Sequence, residues 1–93
     1  MIQSFADSET QAVFEGIVSR RLPSNLQSVM HRKLLLVDAA MNINDLRVPP
    51  GNRLEALSGD RKGQHSIRVN QQWRICFVWT ITGPADVEIV DYH

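Results

Sequence analysis

The sequence predicts an α+β domain in which two helices pack on one face of a mostly antiparallel sheet. Three observations carry this. The hydrophobic period is helical up to Pro49 and switches to two beyond it. The pair Pro49-Pro50 followed by Gly51 forbids regular structure at the switch. A length of 93 residues allows one small core and no linker, so residues 1–93 read as a single domain.

The elements follow in order. "IQSF" at Ile2–Phe5 alternates and reads as a short strand. Ser8 and Gln11 form a capping-box pattern, and Ala12, Val13, Phe14, Ile17 and Val18 follow at helical spacing, which predicts a helix over Glu9–Val18. Ser24 and Gln27 repeat the pattern. Leu26, Val29, Met30, Lys33, Val37 and Ala40 then trace one face of a second helix over Asn25–Ala40. "RRLP" joins the two as a helical hairpin, and "NINDLRVPPGNR" is a loop. "RLEAL", "QHSIRVN", "QWRICFVWT" and "DVEIVDYH" read as strands divided by the turns "SGDRKG" and "ITGPA".

Composition narrows the function classes. The net charge is zero, so the whole molecule is not a polycation. Between Arg53 and Arg74, however, five bases stand against two acids. No apolar run approaches a membrane span, and the first residues lack the basic and apolar regions of a signal peptide. The one cysteine, Cys76, lies within an apolar strand and fits a reducing cytoplasm. The three histidines have no metal-ligand spacing, and neither a metal nor a cofactor is expected.

The central hairpin carries the sharpest reading. Ile67, Val69, Trp73, Ile75, Phe77 and Trp79 are apolar at odd positions. A two-residue turn would pair Val69 with Gln72 and mix the faces. A three-residue loop, Asn70–Gln72, pairs Ile67 with Ile75 and keeps the odd face apolar. It also places Arg68 opposite Arg74 on the other face, where like charges repel. Two guanidiniums held together suit a phosphate, to which arginine presents a planar fork. The Gly-bracketed turn "SGDRKG", with Arg61 and Lys62, is a further candidate for anion contact.

"GNRLEALSGDRKGQHSIRVNQQWRICFVW" followed by "VEIVDYH" resembles the HigB-like killer proteins of the RelE/ParE toxin superfamily, and the resemblance runs over essentially the whole chain. It implies a RelE-like α+β fold and a toxin encoded beside a small helix-turn-helix antitoxin of HigA type. It also implies metal-independent cutting of messenger RNA on the ribosome. By the same resemblance Asp91, Tyr92 and His93 match the catalytic tail, and Arg74 matches a phosphate-contacting arginine. Arg68 and Arg53 occupy basic positions, and Ser58, Glu55 and His65 stand where family members carry lysine, histidine and an aromatic.

The residue chemistry agrees with that implication. RNA supplies its own nucleophile, the 2′-hydroxyl. Cleavage then needs a base, an acid for the leaving 5′-oxygen, and positive charge on the phosphorane. His93, with the ordinary imidazole value of about 6.5 and a carboxylate beside it, suits the acid. Asp91 would orient it or take up a proton, and Tyr92 would stack on a base or pass a proton. Arg74 and Arg68 would meet the phosphate, with Arg53, Arg61, Lys62 and His65 around them. Two other readings stay open: a gyrase poison of ParE type, which needs no proton shuttle, and an inactive relative that only binds its antitoxin.

Overall fold

The computed structural model describes residues 1–92; the candidate acid His93 lies outside them. Four strands form one sheet: β1 (Glu55–Ala56), β2 (His65–Arg68), β3 (Trp73–Thr80) and β4 (Gly83–Asp91), in the order β1-β2-β3-β4. Every neighbouring pair is antiparallel. The odd positions of β2, of β3 and of β4 from Val87 onward face the helices; before Val87 a register shift places Pro84 opposite Trp79. Ile67, Ile75, Phe77, Val87 and Ile89 are buried there against Val13, Met30, Leu34 and Val37. Trp73 and Trp79 pack at the margin of this core, as their parity predicts.

The segment expected as an N-terminal strand is extended and lies along the outer edge of β4, but it makes a single parallel bridge, Phe5 to Val87. Gln3 N–H donates to the Pro84 carbonyl at 2.8 Å, and Ala6 N–H to the Val87 carbonyl at 2.9 Å. The ladder stops there for local reasons. Pro84 has no N–H to offer, and the N–H of Asp86 donates to the Ser4 hydroxyl at 2.9 Å instead of to a carbonyl. Asp86 also sits at φ 51°, beside a register shift between Cys76 and Val78.

Both helices start and stop differently from the expectation. The first, α1, spans Ser8–Phe14 and is capped by Asp7, whose carboxylate accepts from Thr10 N–H at 2.6 Å. Ser8 is the first helical residue rather than the cap. Gln11 does not reach back but donates to Glu15. The helix ends before Gly16, which turns the chain at φ 81°. Ile17 and Val18 are therefore outside it and solvent-exposed. The second, α2, spans Gln27–Ala39 after a single 3-10 turn over Ser24–Leu26, and no side chain caps it. Gln27 is used elsewhere: its amide donates to the carbonyls of Ser19 and Leu22 at 2.7 and 2.9 Å and accepts from Ser19 N–H. Both capping boxes were motif matches in sequence only. A carboxylate one residue earlier captured the first, and the inter-helix loop captured the second.

The assignment of the cap is directly checkable. Asp7→Ala should cost about 1 kcal/mol, seen as a lower urea midpoint at unchanged slope, while Ser8→Ala should leave the midpoint nearly unmoved. The helices touch β4 by a bond of their own, since Ile89 N–H donates to the buried Thr10 hydroxyl at 2.9 Å. Among the described residues, no helix is long and apolar enough to cross a membrane.

Candidate active site

The hairpin of β2 and β3 forms in the expected register. Ile67 pairs with Ile75 and Arg68 with Arg74. Val69 N–H donates to the Trp73 carbonyl at 2.9 Å, and the Asn70 side chain closes the loop by accepting from the N–H groups of Gln72 and Trp73. Arg68 and Arg74 thus share the face turned away from the helices.

Arg74 is held on that face by contacts with Ser66, Arg53 and Tyr92. Its Nε donates to the Ser66 hydroxyl at 2.7 Å, and its Nη2 to the Arg53 carbonyl at 2.8 Å. Its guanidinium lies 5.9 Å from the centre of the Tyr92 ring. Ser66 is fully buried, so its hydroxyl is a fixed acceptor. The Arg53 carbonyl is fixed from the other side of the chain. Asn52, also fully buried, donates to the carbonyls of Leu46 and Val48 and accepts from the Lys33 ammonium. Burial, and after it the charge of Arg32, lowers the Lys33 pKa. From this anchor the chain passes through Arg53 at φ 46° and enters β1. Bracing of this kind fixes a guanidinium before any ligand arrives.

Arg53, Arg68, Arg74 and Tyr92 line one open groove of about 530 Å³, together with Leu54, Glu55, Asn70 and Gln71. Among the described residues the groove offers three cations, an aromatic face, two side-chain amides and one carboxylate. It is wide enough and polar enough for an extended polyanion carrying flat bases.

The family comparison matches residues 3–93 to the description "RelE-like toxin of type II toxin-antitoxin system HigB". The chain belongs to this HigB-like toxin family. Toxin HigB-1 of Vibrio cholerae is 43% identical to it over 94 aligned positions, covering all of this chain and 98% of the relative. Endoribonuclease HigB of Proteus vulgaris is 34% identical over the full length of both proteins. An uncharacterized protein of Haemophilus influenzae is 47% identical over 62 positions, 67% of this chain and 61% of its own length. Membership of a type II toxin-antitoxin system implies an antitoxin partner.

The rest of the expected site of this HigB-like toxin falls elsewhere. Arg61 lies at the end of a short 3-10 turn, Gly59–Arg61, and pairs with Glu88 at 3.2 Å while donating to Gln64 at 3.0 Å. Lys62 follows it, solvent-exposed, and does not line the groove. The turn "SGDRKG" thus contributes a strut across the sheet rather than a wall of the groove. Beneath that strut, burial raises the pKa of Cys76, with Glu88 adding to the rise and Arg61 and Arg74 opposing it. His65 is opposite Phe77, with ring centres 6.4 Å apart, so it belongs to the helix-facing side. It is an odd-numbered residue in the same strand as Arg68, and parity alone separates them. Asp91 is opposite Trp73 on that same side, and its carboxylate accepts from the Gln72 amide at 3.1 and 3.2 Å.

Sequence reasoning missed Ser66 and Asn52 as the acceptor and the anchor behind Arg74, and it passed over Glu55, Asn70 and Gln71 as groove residues. Ser66 was findable, because it has the parity of Arg68 and Arg74. Asn52 left no signal, since a buried asparagine in a loop looks like any other loop asparagine.

Proposed function

We propose that this chain is a ribosome-dependent endoribonuclease that cuts messenger RNA in the cytoplasm, restrained by a small helix-turn-helix antitoxin of HigA type from an adjacent gene. The observation that supports this best is the groove in which Arg68, Arg74 and Arg53 meet beside Tyr92. The names of the two full-length relatives, a toxin and an endoribonuclease, point the same way.

In this reading the scissile phosphate sits against Arg74, whose bonds to Ser66 and the Arg53 carbonyl leave Nη1 to face it. Arg68 supplies a second positive charge across the strand pair. Tyr92 stacks on an unstacked base next to the cut, its other face backed by the Arg74 guanidinium. His93 donates a proton to the departing 5′-oxygen. Asp91, tied to Gln72 on the far side of the strand, steadies the tail rather than taking the 2′-proton. Arg61 and Lys62 are not assigned to the RNA in this reading, and neither is His65.

The test is cleavage of a translated message by the purified protein, mapped by primer extension, with a gyrase supercoiling assay in parallel. The expected result is cutting only of message engaged on ribosomes, with supercoiling untouched. Blocked supercoiling without cleavage would transfer the protein to the gyrase-poison class. Inactivity in both assays, with antitoxin binding kept, would make it a binding relative only.

A further inference from the structure

Among the described residues the groove contains one carboxylate, and it has no assigned part. Glu55 is directly opposite Ser66 in the β1–β2 pair, so its side chain leaves the sheet on the same face as Ser66, Arg68 and Arg74. It is solvent-exposed and lines the groove with three arginines. Among the described residues it has no ion-pair partner, and Arg74 in the same groove donates to Ser66 and to the Arg53 carbonyl. Asp91, the other acid near the tail, is on the opposite side of its strand and bound to Gln72.

We infer that Glu55 is the general base of this site, taking the proton of the RNA 2′-hydroxyl. The inference rests on the endonuclease reading above and completes it. The 2′-oxygen loses its proton to the Glu55 carboxylate and forms a bond to phosphorus. The bond from phosphorus to the 5′-oxygen breaks, and that oxygen takes a proton from His93. The products are a 2′,3′-cyclic phosphate and a 5′-hydroxyl, and no co-reactant is needed. Glu55 borders the three arginines that would hold the phosphate, which puts its carboxylate within the same groove as the reacting group.

A carboxylate among arginines has a second use, which is to offset their repulsion, and the test separates the two. Single-turnover cleavage of a ribosome-bound message is measured at saturating toxin across pH for wild type, E55Q and E55H, with ribosome binding measured separately. A base predicts a loss of about 10²-fold in the E55Q rate with binding kept or tightened. It also predicts that E55H recovers part of the rate with an acidic limb centred near the ordinary imidazole value of about 6.5, displaced from that of the wild type. Tighter binding at a wild-type E55Q rate means that Glu55 only offsets charge, and it overturns the inference. Absence of cleavage by the wild-type protein itself overturns the endonuclease reading and this inference together, and the wild-type lane distinguishes that failure from the first.

Discussion

Arg74→Ala is expected to lower ribosome-dependent cleavage by about 10²–10³-fold, the usual consequence of removing one preorganised donor from a developing oxyanion. The loss should fall on the rate at saturation more than on ribosome binding, because Arg68 and Arg53 still attract the backbone. Arg74→Lys should recover only a small part. An ammonium can reach Ser66 or the phosphate, but it cannot donate to Ser66, to the Arg53 carbonyl and to the phosphate from one planar group. Ser66→Ala supplies the graded comparison: it keeps the guanidinium, removes the Nε acceptor, and should produce a smaller loss than Arg74→Lys. Equal activity of Arg74→Ala and wild type would remove Arg74 from the chemistry altogether.

His93→Ala should cost about 10²–10⁴-fold, the range for loss of a general acid. The sign of its pH dependence follows from its role. An acid must carry its proton to work, so the wild-type rate should fall as pH rises through the imidazole's titration, and the His93→Ala rate should lose that basic limb. Tyr92→Phe keeps the ring over Arg74 and removes only the hydroxyl, so it should stay near wild type if Tyr92 stacks. It should approach the His93→Ala level if the phenol passes the proton. A His93→Ala protein with a wild-type rate would return the terminal "DYH" to the status of a strand end.

The legible parts of the molecule were those governed by alternation. The odd apolar set from Ile67 to Trp79 permits one hairpin register, and that register places Arg68 against Arg74 whatever else the chain does. The same logic, applied to His65 and Asp91, would have removed both from the arginine face, since each is odd. They were drawn into the site by residue type and by family likeness, which do not see parity. Helix ends were less legible because several polar side chains compete for the same orphan N–H groups. Asp7 precedes Ser8, and a carboxylate is a strong acceptor at the positive end of a helix. The N-terminal strand was half legible: its extended conformation follows from the pattern, whereas its single bridge depends on Pro84 and Asp86, more than seventy residues away in sequence. The Asn52 anchor depends on contacts with Leu46, Val48 and Lys33 that no local pattern encodes.

The docking of the first residues along β4 also bears on solubility. A sheet has two outer edges, and an uncovered long edge is a template for pairing with another chain. On one side the first half of β4 is covered along Pro84–Val87 by the segment through Phe5, which is pinned by Ile2 N–H donating to Asp38 at 2.8 Å as well as by its bonds to Pro84 and Val87, and Ile89 N–H is taken by the Thr10 hydroxyl. On the other side the edge is β1, two residues long, one of them the charged Glu55. Neither edge offers a long apolar ladder. A sheet with both edges blunted in this way resists edge-to-edge pairing between copies of the chain.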